Sequence, residues 1–335
     1  MKYRFNSIVA TLFFIPLFLL IHCSFGEKNK DPEWPDEAKR ITIKSTLDGN
    51  LQNALFYVPP EEKERAVPLL VALHTWSNDW LQPNIEFYDL CKERGWIMIH
   101  PNFRGPNNTP DGCGSPKAVQ DIVDAVSFVV REYNVDESRI YLSGQSGGGH
   151  MSLLMAGKHP EIWAGVSSWV PITDLTAWYH ESLERANRYA PYIEASCGGV
   201  PGSSDLVDEQ YRSRSPINFL HKAEAVPIDI NAGIHDGHTG SVPISHSLHA
   251  FNVLAKINGH KEKYLDKKLI ESFVNDEAVP EELRGERIDD ATYDKKVLFR
   301  REAGPVRVTI FEGGHEIIYR AAFDWLSRQR KSDKT

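Results

Sequence analysis

The stretch YLSGQSGGGHMSLL, residues 141–154, packs four glycines between aliphatic residues and asks for a chemical reading. A phosphate-cradling loop of the form G-x-x-x-x-G-K-[ST] needs a lysine after its last glycine, and here His150 and Met151 follow Gly149. Gly144-Gln145-Ser146-Gly147-Gly148 instead fits G-x-S-x-G, with Ser146 as a candidate nucleophile. The apolar segment RIYLSG before it reads as a buried strand and GGHMSLLMAGKH after it as a helix. A strand-to-helix turn this sharp holds its central residue in a strained conformation. Only small residues at positions 144 and 148 let the two arms pass. The free N–H groups at the start of the helix then face the anion formed when a hydroxyl attacks a carbonyl.

A serine hydroxyl needs a base, and the base needs an acid to orient it. Among thirteen histidines, His315 is the clearest base: it follows the strand VRVTIF and two glycines in FEGGHE. His150, in the helix behind the serine, and His100, at a strand end, are expected to pack or hydrogen-bond. For the acid, Asp236 follows PIDINAG at the start of a loop, and Asp174, after VPIT, is the runner-up with helix capping as its alternative role. The order Ser146, Asp236, His315 is the chain order of hydrolases built on a nucleophile elbow.

These residues must be carried by a scaffold. RITIKST and NALFYVPP read as an antiparallel pair, followed by VPLLVALH, WIMIHPN, RIYLSG, AGVSSWVP, PIDINAG and VRVTIFEG as buried strands. Helical stretches alternate with them; in one, Val119, Ile122, Val123, Val126 and Val130 recur at helical spacing. The expected class is α/β, a mostly parallel central sheet with helices on both faces, over residues 38–335. Residues 180–222 and the charge-dense 258–303 break the alternation and read as insertions, the second as a surface segment.

Composition narrows the partners. The 335 residues carry a formal net charge of −8 and no Lys/Arg cluster, which argues against a nucleic-acid partner. The histidines and cysteines lack metal-ligand spacing, and no cofactor is expected. Lys2 and Arg4 precede the apolar run SIVATLFFIPLFLLI, with Ser24 and Gly26 after it, so residues 1–26 read as an export signal. Cys23 offers the alternative of a lipoprotein signal ending before it, which would make lipidation the one route to membrane attachment. The run is short and contains Pro16, against a membrane-spanning helix. The expected location is periplasmic, cell-surface or secreted. Of Cys91, Cys113 and Cys197, the loop pair Cys113 and Cys197 is either bridged or free.

From about residue 52 onward the chain resembles the α/β-hydrolase superfamily, and within it the catalytic domain of the prolyl oligopeptidase family and related secreted esterases. The resemblance rests on RGWIMIHPNFRG, DIVDAVSFVVREYNVDESRIYLSGQSGGGHMSLLMAGKHPE, RSPINFLHKA and FEGGHE. It implies an oxyanion hole from the N–H of Gly147 and, after the third strand, that of Trp76. The Trp76, Trp169 and Trp178 indoles are expected to border the site as aromatic platforms for a sugar or aromatic group, with packing as the alternative. Two departures stand out. His74 occupies a position where the family's peptidases have tyrosine. Asp236 lies six residues before Val242 where the family's acid lies three before a valine, which would put Thr239 in its place unless three residues are inserted. The expected function is hydrolysis of small-molecule or carbohydrate-borne carboxylic esters. The alternatives are a serine peptidase and a hydrolase fold kept for binding alone. With only a short segment between the expected export signal and the first strand, the propeller of the larger family members is not expected.

Overall fold

The computed structural model describes residues 34–331. The expected export signal and Cys23 lie outside them.

Among the described residues nine strands form one sheet: β1 (Lys39–Lys44), β2 (Leu51–Tyr57), β3 (Val67–Leu73), β4 (Ile97–Pro101), β5 (Val135–Gln145), β6 (Gly165–Trp169), β7 (Ile228–Gly233), β8 (Val297–Ala303) and β9 (Val306–Phe311). Their order is β1-β2-β4-β3-β5-β6-β7-β9-β8. The centre, from β4 through β3, β5, β6 and β7 to β9, is parallel, while β1, β2 and β8 pair antiparallel at the edges. This is the mixed sheet of an α/β hydrolase.

Strand periodicity assigns the faces. On β3, Leu69, Val71 and Leu73 join one core with residues of α2 (Pro116–Glu132), α3 (Gly147–Lys158) and α7 (Ser245–Ile257). Leu70 and Ala72, one residue out of phase, join a second core with α1 (Ile85–Arg94) and α9 (Tyr319–Leu326). Alternate side chains thus bury on opposite faces, and helices cover both.

The segment 180–222 holds the second half of α4 (Leu175–Glu184) together with α5 (Tyr189–Cys197) and α6 (Asp205–Arg214). These helices form a cover with its own core, in which Trp178, Tyr179, Ile193, Cys197 and Tyr211 pack with Trp76 and Cys113. Cys91, Cys113 and Cys197 are free and buried.

The segment 258–303 corrects the sequence reading. It is no surface decoration: α8 (Lys267–Asp276) sinks Ile270 and Phe273 into the main core, and β8 closes the sheet by pairing with β9. The charges of KKVLFRRE concealed a strand because its arginines are held from above and from the side. Arg300 Nε donates to Thr309 Oγ1 at 3.0 Å, and Arg301 Nε donates to Glu286 Oε2 at 2.8 Å. Charge on an edge strand also guards against pairing with another chain.

Candidate active site

Ser146 lies between the end of β5 and the first residue of α3, with φ 58° and ψ −115°. Positive φ is costly for a residue with a Cβ, so the surroundings must impose it. They do. The Ser146 N–H donates to Trp169 O at 2.8 Å, and Ser146 O accepts from the His150 N–H at 2.8 Å. The arms of the turn press together: a methyl on Gly144 would stand 2.6 Å from the carbonyl carbon of Gly148. One on Gly147 would overlap the main-chain nitrogen of Trp76. The two residues expected to supply oxyanion donors are therefore in main-chain contact. Gly147 opens α3, so its N–H has no acceptor within the helix.

His315 and Asp236 meet across the ends of β9 and β7, His315 Nδ1 lying 2.8 Å from Asp236 Oδ2. The other carboxylate oxygen accepts from the N–H of Gly237 at 2.9 Å and of Val242 at 3.2 Å. Asp236 is buried, whereas the His315 side chain is about one-fifth exposed at 21%. A carboxylate at Nδ1 holds the proton there and leaves Nε2 as the free lone pair. Gln145, the neighbour of Ser146, ties the serine turn to the histidine loop: its side-chain amide donates to His315 O at 2.8 Å.

The question of spacing is answered by geometry. Thr239 Oγ1 donates to His235 O at 3.2 Å and its N–H to the same oxygen at 3.0 Å, so Thr239 closes a turn while Asp236 faces the histidine. Asp174 caps α4, Oδ1 accepting from Thr176 N at 2.9 Å and Ala177 N at 3.1 Å. His150 Nε2 lies 2.9 Å from Arg214 O, and burial pushes its pKa down to about 4. His100 Nδ1 lies 2.7 Å from Ala72 O, and burial pushes it down to about 3. His74 stacks flat on Phe103 with ring centroids 3.8 Å apart, holding the end of β3 beside the loop after β4.

The tryptophan platforms are a correction. Trp169 is fully buried, donates to Ser167 Oγ at 2.9 Å and packs against Tyr293 and Phe311. Trp178, equally buried, donates to Ser241 O at 2.9 Å and meets Trp76 edge to face at 4.7 Å. Trp76 is itself 1% exposed. None of these three indole faces is open to a sugar; the Trp76 and Trp178 rings instead pin the cover onto the loop that carries the Trp76 N–H. The positions that the sequence did not single out are Gln145, the unspecified residue of its motif, and His235 beside Asp236.

Residues 88–268 match the prolyl oligopeptidase family. That span is more than half of the chain. The chain belongs to the prolyl oligopeptidase family. It is a family of hydrolases, and curated relatives extend the comparison. Feruloyl esterase B of Talaromyces stipitatus is 23% identical over 225 residues, covering 64% of this chain and 56% of that protein. Acetylxylan esterase A of Emericella nidulans is 25% identical over 148 residues, covering 40% of this chain and 46% of that protein. The chain thus spans about half the length of these relatives. Among solved structures, the acylaminoacyl peptidase of Pyrococcus horikoshii superposes with a TM-score of 0.59 at 16% identity, over 89% of this chain and 43% of that one. At that identity the likeness shows the fold.

Proposed function

We propose that this family member is an exported serine hydrolase that cleaves carboxylic esters, with acyl groups borne on carbohydrate as its substrates. The observation that carries the reading is the Asp236–His315 hydrogen bond of 2.8 Å, tied through Gln145 to a strained Ser146 at the start of α3. In the proposed reaction His315 Nε2 takes the Ser146 hydroxyl proton as Oγ attacks the ester carbonyl. The N–H groups of Gly147 and Trp76 hold the oxyanion. His315 then gives its proton to the departing alkoxide, and a water deprotonated by the same nitrogen releases the acid from the acyl-enzyme. Asp236, held by three N–H donors, keeps the ring in the required tautomer.

Carbohydrate esters are favoured because feruloyl and acetylxylan esterases stand among the relatives. Export rests on Lys2, Arg4 and the apolar run after them, with Cys23 as the alternative lipidation point. A peptidase is the second reading, favoured by the structural likeness to an acylaminoacyl peptidase. Turnover of p-nitrophenyl acetate, acetylated and feruloylated xylan oligosaccharides, and Xaa-Pro amides separates the two. Hydrolysis of the esters is expected. Efficient cleavage of the amides with negligible turnover of every ester would overturn it.

A further inference from the structure

The ring of His235 stands between two carboxylates. Its Nδ1 lies 2.8 Å from Glu277 Oε2 and its Nε2 2.9 Å from Glu312 Oε1. His238 faces one of the two, Nδ1 lying 3.5 Å from Glu277 Oε1, while its Nε2 donates to Val274 O at 2.6 Å. Carboxylates only accept. A neutral imidazole has one N–H and one lone pair, so only an imidazolium donates to both carboxylates at once. Glu277 and then Glu312 accordingly raise the His235 pKa above the ordinary histidine value.

The elements tied together are the ones that matter. Glu277 sits just past α8, Glu312 directly follows β9 three residues before His315, and His235 directly precedes Asp236. The backbone adds to the tie: the His235 N–H donates to Gly313 O at 3.0 Å, and His235 O receives the Thr239 N–H. We propose that His235 is a positioning residue, an imidazolium clamp that sets the spacing between the loop carrying Asp236 and the loop carrying His315. The inference rests on the reading of those two residues as the orienting acid and the base.

Loss of the proton leaves one carboxylate opposed to a lone pair and removes one of the two side-chain ties. Because the folded value is raised, the stabilisation is complete below the unfolded value, near 6.5, and is lost as pH rises through the folded one. Catalysis therefore acquires an alkaline limb from a residue that never touches substrate.

The test measures kcat and KM for p-nitrophenyl acetate from about pH 5 to about pH 10. The proteins are the wild type, His235→Gln, His235→Arg and the double variant Glu277→Gln with Glu312→Gln. His235→Gln is expected to lower kcat roughly tenfold at neutral pH with KM changed less than about twofold, since a misplaced catalytic pair costs rate more than binding. His235→Arg supplies a cation that does not titrate in this range and should rescue kcat and flatten the alkaline limb. The double variant, with no carboxylates to hold, should flatten it too. Profiles of His235→Gln and wild type that coincide in height and shape would overturn the clamp. The same comparison is made by thermal unfolding in a Ser146→Ala background, where His235→Arg should resist the alkaline loss of Tm and equal loss in both would reject the clamp. If the wild type turns over no ester or amide, the functional reading fails while the melting data still decide this one.

Discussion

Gly240 lies against both Asp236 and His315: a methyl group at its α-carbon would overlap Asp236 Oδ1 and stand 2.6 Å from His315 Cβ. Nothing larger than hydrogen fits between the turn and the hydrogen-bonded pair. Gly240→Ala should therefore push the pair apart and lower kcat by about 10²-fold, the usual scale for a misplacement of roughly 1 Å. Steady-state kinetics with unchanged circular dichroism checks this, and a variant of wild-type kcat would show that the turn yields freely.

Ser146→Ala and His315→Ala should each lower turnover by roughly 10⁴-fold or more, because members of such a group act as a unit. Asp236→Asn should also lose most activity through the wrong histidine tautomer. A fluorophosphonate probe should label Ser146 in the wild type, and peptide mapping that places the label on another serine would contradict the assignment.

Asp174→Ala should leave kcat near wild type and reduce stability by about 0.5–2 kcal/mol, the cost of removing an N-cap. The carboxylate caps α4 through two N–H bonds, and the carboxylate on His315 Nδ1 is that of Asp236. An inactive but fully folded variant would reopen the choice of acid.

Trp178→Leu should lower Tm by several degrees, since it leaves a void beside Trp76 and a lost bond to Ser241 O. Its effect on KM should be the same for sugar-borne and simple esters, because the indole is buried against protein. A selective rise in KM for sugar esters would restore the platform role.

Lys158 is mostly buried, and burial, with Arg214 and Lys222 nearby, brings its pKa down to about 8. Its folded value is below the unfolded one, so the charged form costs stability below pH 8 and the cost fades as pH rises toward the unfolded value. Lys158→Met should raise Tm at neutral pH by a few degrees, on the order expected for about 1 kcal/mol, with the gain vanishing in strongly alkaline buffer. Its cation also lies 4.6 Å from the Phe219 ring centroid, which offsets part of the gain. A drop in Tm at neutral pH would mean that this contact outweighs burial.

The sequence revealed most where one physical signal dominates. The parallel strands are short apolar runs bounded by turn residues, and the Ser146 turn is fixed by glycines that nothing else could replace. β8 escaped because its arginines are neutralised by Asp290 and Glu286, partners that no local pattern reveals. Spacing alone cannot choose between Asp236 and Thr239, because the turn that Thr239 closes on His235 O and the bond from His315 to Asp236 exist only in the folded loop. The tryptophans misled because an indole near a functional loop reads the same whether its face is open or packed. The His235 clamp joins residues 42 and 77 positions apart, and only the folded chain brings them together.

The cover also sets how the site can fail. The Ser146 turn is laced to the end of β6 through Trp169 O, the His315 loop to the end of β5 through the Gln145 amide, and the Asp236 loop to the His315 loop through the His235 N–H on Gly313 O. The loop carrying the Trp76 N–H is pinned from the other side, by Trp178 and through it Tyr189 of α5. The candidate nucleophile, base and acid thus rest on the sheet alone, whereas the Trp76 loop after β3 also rests on the roof. Warming, or a ligand that pries α4 and α5 away, can free the roof while the sheet and its histidine stay in place. Such a molecule would be folded and inert, and it would lose its activity at a lower temperature than its sheet.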